Sequence, residues 1–307
     1  MNPPLVLPAV DLRPILPMLV MAATAGLVLV LDLLPPRERK DHLGFISALG
    51  VVAALIVTYW MTFATGGAEL RAFRGMVVLD GYALFFNIVI GYATGLVLLL
   101  SMDYMRREGV ESGEFYILVL LSALGMMLMA SAGDLIIIFL GLETMSISLY
   151  VLAGFFRTRL EAGEASMKYF LIGAFASGFF LYGIALIFGA TGTTNLDRIA
   201  NAVAAGAGSD PMLVIGLGLL LVGFGFKISS VPFHMWAPDV YEGAPTSVTA
   251  FIATGSKAAA FAALLRVLLT AMRGAPVDWP MLLWVLDRKS TRLNSSHIQK
   301  SRMPSSA

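Results

Sequence analysis

The sequence predicts an all-α polytopic membrane protein with eight transmembrane helices and the beginning of a ninth. Of its 307 residues, 58% are hydrophobic and only 13% are charged, and the mean hydropathy is +0.82. Soluble domains carry about 25% charged residues, so this composition excludes a soluble globular fold. The apolar runs are continuous rather than alternating with a period of two, which favours helices over the strands of a membrane barrel.

Eight apolar runs are long enough to cross a bilayer core, which needs about 20 residues at a rise of about 1.5 Å per residue. The predicted spans are Leu12–Leu34, Leu43–Phe63, Tyr82–Met102, Phe115–Ala132, Leu135–Phe156, Ser166–Ala190, Met212–Trp236 and Thr246–Met272. The run Trp279–Leu286 begins a ninth helix, and Asn195–Ala205 is predicted as a short surface helix. Loops on one side carry seven basic residues and those on the other side five, which places the N-terminus outside the cytoplasm.

Residues 288–307 differ in composition from the rest of the chain, with five Lys or Arg, six Ser and no acidic residue. Because they interrupt the apolar run that begins at Trp279, we expect a non-native tail and a protein truncated near Asp287. A natural polar tail is the alternative. The absence of cysteine excludes iron–sulfur ligands and disulfides from this chain, and the net charge of +1 gives no support to a nucleic-acid partner.

Four of the ionisable side chains within predicted spans are candidates for a role inside the membrane: Glu143 in the fifth span, Lys168 in the early turns of the sixth, Lys227 in the seventh and Lys257 in the eighth. A charge at the centre of a span costs about 2.5–3.5 kcal/mol, so these groups must face protein or water. Glu143 could simply neutralise one lysine, and Lys168 could extend to the cytoplasmic face. The functional alternative is a series of proton-carrying groups along the membrane plane. Burial disfavours a charged lysine and a nearby carboxylate favours it, which suits such a series.

The seventh span contains a predicted helix break at Ser229–Pro232. Pro232 removes a backbone donor and clashes with the preceding turn, and the serines can satisfy the freed groups. Transporters use interrupted helices at their ion sites, so the break favours a hydrated site beside Lys227, although a plain proline kink is the alternative. His234 follows the break and is either a proton relay or a structural residue.

Three motifs resemble the antiporter-like membrane subunits of proton-translocating NADH–quinone oxidoreductase, known as respiratory complex I. They are GLETMSISLYVL around Glu143, GFGFKISSVPFHMWAPDVYEGAPTSVTAF around Lys227, and ATGSKAAAFAALLR around Lys257. The ending APDVYEGAPT resembles the subunit N branch more than subunits L and M or the multisubunit cation/proton antiporters. The resemblance extends from Met1 to about Leu286.

The resemblance implies a fold of about fourteen helices with two inverted repeats, in which helices seven and twelve are broken. Residues 1–110 would form the first three helices, residues 111–287 the first antiporter-like repeat up to the start of helix nine, and residues 288–307 the tail. The second repeat would be absent from this chain.

The resemblance also implies that Glu143 and Lys227 form a regulating pair, that Lys257 is the central relay, and that Lys168 takes part. The expected partners are other complex I membrane subunits, the lipid bilayer and protons, in a bacterial inner membrane. No cofactor is expected on this chain, whereas NADH, FMN, iron–sulfur clusters and quinone would bind partner subunits. A secondary cation/proton antiporter subunit of the Mrp type is the alternative function.

Overall fold

The computed structural model describes residues 11–34, 40–109 and 113–274, together with Met281 and Trp284. Within these residues, eight helices are long and apolar enough to cross a membrane, which confirms the predicted number of spans. The predicted ninth helix is described only at Met281 and Trp284, and the predicted tail lies outside the described residues.

The observed helices follow the predicted spans but differ from them at their ends. Their bounds are α1 Leu16–Leu33, α2 Asp41–Thr65, α3 Gly81–Arg107, α4 Gly113–Ala130, α5 Leu135–Ala153, α6 Leu160–Thr191, α7 Leu196–Ala204, α8 Pro211–Ile228, α9 Ala237–Gly243, α10 Thr246–Phe251 and α11 Lys257–Arg266. Helix α6 begins six residues before the predicted Ser166, because the preceding Leu-Glu-Ala-Gly-Glu-Ala segment favours a helix without being apolar enough to extend a span. Two π-helical turns, Ile252–Ser256 and Val267–Ala271, interrupt the eighth span.

The chain forms two compact units, the first of which contains α1–α5 and residues 250–263. This unit includes a small antiparallel hairpin that the sequence did not predict, with β1 Leu70–Ala72 paired with β2 Val77–Leu79. The backbone N–H of Val78 donates to the carbonyl of Ser131 at 2.8 Å, which ties the hairpin to the end of α4. Strands of three residues are too short to give a recognisable alternating pattern.

The second unit contains α6–α9 and the end of the eighth span. Helix α7 confirms the predicted short helix. It packs against Val267–Ala271, and its buried residues are Leu196, Ile199 and Val203. The side chain of Asn195 caps this helix by accepting a hydrogen bond from the N–H of Arg198 at 3.2 Å.

Helix α8 ends at Ile228, so the predicted break in the seventh span is confirmed. The helix stops eight residues before the predicted end of the span at Trp236, because Ser229 takes a left-handed conformation with φ 58° and Pro232 follows within the next turn. The chain returns to helix only at Ala237, where α9 begins. The last turn of α8 therefore ends beside eight residues of non-helical backbone.

Candidate functional site

Lys227 lies in the last turn of α8 and is only 2% exposed. Its neighbours in sequence, Phe226 and Phe224, are buried as well. A cation in the final turn of a helix interacts favourably with the negative end of the helix dipole. The helix end therefore offers an electrostatic reason for a lysine to occupy an otherwise apolar part of the protein.

Two aromatic rings lie close to the ammonium group of this lysine, and a third ring packs on both of them. The Nζ atom of Lys227 lies 5.2 Å from the ring centroid of Tyr169 on α6 and 5.2 Å from that of Phe226. The ring of Trp236 stacks on that of Tyr169 with centroids 4.5 Å apart and an interplanar angle of 14°. Tyr169 and Trp236 are each at most 1% exposed, so the cluster is shielded from solvent.

The backbone of the helix break is satisfied by local hydrogen bonds. The N–H of Ser229 donates to the carbonyl of Phe226 at 3.1 Å, and the N–H of Ser230 donates to that of Gly225 at 2.9 Å. The indole N–H of Trp236 donates to the same Phe226 carbonyl at 3.0 Å. These bonds satisfy carbonyl groups that the end of the helix leaves without intrahelical donors.

His234, the predicted relay residue beyond the break, is half-buried. Its Nδ1 atom is buried and makes no hydrogen bond to any residue that the structure describes. Buried polar atoms in proteins are almost always hydrogen-bonded to protein or ordered water. The position of Nδ1 is thus suited to a bound water molecule.

Lys168 has a different environment from Lys227. Its side chain is 42% exposed, and its Nζ atom lies 2.6 Å from the Glu164 carboxylate and 2.7 Å from the carboxylate of Asp239 on α9. The ion pair joins α6 to α9 immediately beside Tyr169. Lys168 is therefore a partly solvated group at the edge of the second unit.

Glu143 belongs to the first unit, where it is half-buried on α5. Ser146 and Tyr150 follow at intervals of three and four residues and are both buried, so the three polar side chains share one face of the helix. Glu143 interacts electrostatically with Tyr150. The sequence alone does not mark Ser146 and Tyr150 as members of the site, because hydroxyl residues in a span are also common in helix packing.

Lys257 also belongs to the first unit and begins α11, directly after the π-helical turn Ile252–Ser256. This turn packs against α3 and α4, and a Cβ atom on Gly255 would lie 3.2 Å from the sulfur of Met126. Single π-helical turns occur frequently at functional sites. The sequence predicted the lysine but not the turn that precedes it.

The predicted site residues are divided between the two units. Lys168, Lys227 and His234 belong to the second unit, and Glu143 and Lys257 to the first. The pairing of Glu143 with Lys227 stays a prediction. Across the described part of the chain, no three His, Cys, Asp or Glu side chains are grouped as metal ligands would be.

Comparison with known proteins gives consistent similarities. Residues 132–289, just over half of the chain, match the model of the NADH:quinone oxidoreductase/Mrp antiporter transmembrane family. Subunit N of the NADH-quinone oxidoreductase of Trichlorobacter lovleyi is 49% identical over 280 residues, which cover 90% of this chain and 56% of that protein. Subunit N 2 of Koribacter versatilis is 45% identical over 283 residues, which cover 91% and 57%. The chain thus spans just over half the length of these relatives.

Solved structures show the same fold. A chain of respiratory complex I from Thermus thermophilus with bound aureothin is 38% identical, with a TM-score of 0.71 over 88% of this chain and 55% of that one. A chain of the Mrp complex from Dietzia sp. is 22% identical, with a TM-score of 0.69 over 86% and 50%, and this likeness shows the fold alone. The protein is a multi-pass membrane protein, and it belongs to the NADH:quinone oxidoreductase/Mrp antiporter transmembrane family.

Proposed function

We propose that this chain is part of a membrane-arm subunit N of NADH–quinone oxidoreductase, where it carries protons through side chains within the membrane. The observation on which the proposal rests is a lysine that is 2% exposed, next to a helix break, in a chain 49% identical to a subunit N. The redox reaction itself takes place on other subunits, which bind NADH, FMN, iron–sulfur clusters and quinone.

In this proposal, Glu143 controls the charge of Lys227. A Glu–Lys pair at 4 Å is worth about 4 kcal/mol at an effective dielectric of about 20, so bringing the carboxylate near or withdrawing it loads or releases the proton. Moving one charge against 100 mV costs about 2.3 kcal/mol, which is less than this change. Lys227 exchanges protons with Lys257 through water.

His234 and Lys168 serve the cytoplasmic end of the path. The buried Nδ1 atom of His234 supports a water-mediated relay beyond the break. Lys168 is partly solvated and held by two carboxylates, which suits a group that exchanges protons with the aqueous phase.

The proposed arrangement in the membrane follows the distribution of basic residues. The protein lies in a bacterial inner membrane with its N-terminus outside the cytoplasm, next to other membrane subunits of the complex. Residues 1–110 are the three N-terminal helices, residues 111–287 belong to the first antiporter-like repeat, and residues 288–307 are a non-native tail.

The test is proton pumping by assembled complexes that contain the whole subunit with Glu143→Gln or Lys227→Met. Both changes keep the volume of the side chain and remove its charge, and we expect pumping to fall while the complex still assembles. The exposed Glu114→Gln is the matched control and should pump normally. Normal pumping by either site variant in an assembled complex would contradict the proposed relay.

The description of the matching family, which includes Mrp antiporters, favours one alternative, a secondary cation/proton antiporter. Purification of the whole subunit from native membranes separates the two functions. A complex I subunit should copurify with NADH–quinone reductase activity, whereas an antiporter subunit should copurify without it.

A further inference from the structure

We infer that Tyr169 and Trp236 are positioning residues for Lys227, and that the aromatic face of Tyr169 stabilises the protonated ammonium group. This inference rests on the proposed function, because it describes how a relay lysine keeps its proton within the protein. It concerns interactions within the second unit, and it is independent of the carboxylate proposed to control the same lysine.

The contact between the ammonium group and the rings is the first step. The Nζ atom of Lys227 lies over the rings of both Tyr169 and Phe226, 5.2 Å from each centroid. A cation within about 6 Å of a ring centroid is attracted by the negative face of the ring, by about 2 kcal/mol or more where both are desolvated. With Lys227 2% exposed and Tyr169 0% exposed, water does not screen this attraction.

The Trp236 ring, which stacks on the ring of Tyr169, fixes the orientation of the tyrosine. The two rings stack with centroids 4.5 Å apart and an interplanar angle of 14°, and the centroid of the Trp236 ring also lies 5.1 Å from that of Phe226. The hydrogen bond from the indole N–H to the carbonyl of Phe226, at 3.0 Å, anchors Trp236 to the last turn of α8. The ring that faces the ammonium group is thus held by a residue that lies beyond the helix break.

The outer end of the cluster is closed by contacts between α6 and α9. The Nζ atom of Lys168, the residue before Tyr169, lies 2.7 Å from the carboxylate of Asp239, three residues after Trp236. A Cβ atom on Gly243 would lie 2.5 Å from the carbonyl oxygen of Glu161, so the two helices are in backbone contact there. These contacts keep the segments that supply Tyr169 and Trp236 in register.

The aromatic faces have a property that a carboxylate lacks, since a ring face neither accepts nor donates a proton. It favours the charged form of Lys227 without competing for the proton. The expected effect of removing the Tyr169 face is a roughly 30-fold fall in the ratio of protonated to neutral Lys227, which corresponds to about 2 kcal/mol.

The experiment measures the charge state of Lys227 by NMR of 13Cε-labelled lysine in the full chain, held in lipid nanodiscs. Lys227→Arg assigns the resonance, and the pH is set where half of the native lysine is protonated. Tyr169→Phe should keep the native ratio, and Tyr169→Leu should lower it about 30-fold. Tyr182→Leu, on the exposed face of the same helix, is the control and should keep the native ratio.

A fluorine series covers the case in which Tyr169→Leu fails to fold. Phenylalanines with increasing numbers of ring fluorines at position 169 weaken the negative ring face in steps while preserving the shape of the ring. The ratio should fall with each fluorine. Apart from Tyr169 itself, the series leaves unchanged the titratable groups on α6, α8, the helix break and α9, which are Glu161, Glu164, Lys168, Tyr182, Asp210, His234, Asp239, Tyr241 and Glu242.

The outcomes distinguish the inference from the proposed function. A ratio that is constant across the fluorine series would overturn the role of the ring, whatever the pumping activity. A graded fall in the ratio supports stabilisation of protonated Lys227 by the ring. This conclusion would hold even if the Lys227→Met complex pumped normally, a result that would refute the proposed relay.

Discussion

Gly216 and Gly218 on α8 offer a test of how closely α6 and α8 must pack to form the aromatic cluster. A Cβ atom on Gly216 would lie 2.8 Å from Cγ1 of Ile187 and 2.9 Å from the carbonyl oxygen of Gly183, both on α6. A Cβ atom on Gly218 would meet no atom within 4 Å. The two glycines lie in the same helix and differ mainly in that Gly216 faces α6 closely and Gly218 faces open space.

The expected free energies follow from these distances. Overpacking of a tight interface costs about 1–3 kcal/mol, whereas alanine gains up to about 1 kcal/mol over glycine in a helix interior. Gly216→Ala should therefore lower the free energy of unfolding by about 1–2 kcal/mol, because a backbone carbonyl cannot move aside as a side chain can. Gly218→Ala should leave it unchanged or raise it by up to about 1 kcal/mol.

The assay is unfolding of the purified chain in mixed micelles by a denaturing detergent, followed by far-ultraviolet circular dichroism. The difference between the two alanine variants is the quantity of interest, since both carry the same chemical change in the same helix. Equal stabilities would refute the claim that the Gly183–Gly216 approach sets the α6–α8 distance. A loss confined to Gly216→Ala would support it.

Two further predictions concern charges at the edges of the protein. Asp239→Asn should change the free energy of unfolding by less than about 1 kcal/mol, since exposed ion pairs contribute little, and the same unfolding assay checks this value. If the Lys168–Asp239 pair aligns α9, the same substitution should also change the ratio of protonated to neutral Lys227 that the lysine NMR experiment measures. The hydrogen bond from Arg13 lowers the pKa of Asp11, so this contact should persist above the ordinary pKa of an aspartate and be lost as the pH falls through the lowered value. An NMR titration of the Asp11 carboxyl measures this directly.

The sequence was sufficient for features that depend on local composition. The eight spans follow from hydropathy along the chain, and the end of α8 at Ile228 follows from Pro232 a few residues later. The sequence does not show which glycines of α8 face a neighbouring helix: Gly216 does so closely, and Gly218 does not. In a helix that is apolar all round, no polar face shows which side meets a neighbour.

The contact between Tyr169 and Lys227 could not be predicted for the same reason. The two residues are 58 positions apart, on helices whose facing sides the hydrophobic pattern does not reveal. The π-helical turn before Lys257 was equally hidden, because it is a change in backbone hydrogen bonding rather than in residue type. Signals that could have pointed to these features are weak, namely an aromatic residue next to Lys168 and a Gly-Ser pair before Lys257.

The surroundings of Lys227 offset much of the cost of burying its charge, which the proposed relay requires if the lysine is to be loaded with a proton. A charge at the centre of a span costs about 2.5–3.5 kcal/mol. A helix C-terminus stabilises a partly buried cation by up to about 2 kcal/mol, and a desolvated ring face stabilises it by about 2 kcal/mol. Because these terms nearly cancel, the lysine can keep its proton in a buried position, and a carboxylate worth about 4 kcal/mol at 4 Å would stabilise the charged form further. Without the ring face, burial would lower the protonated fraction of Lys227 at a given pH, and part of the carboxylate's effect would be needed to restore it.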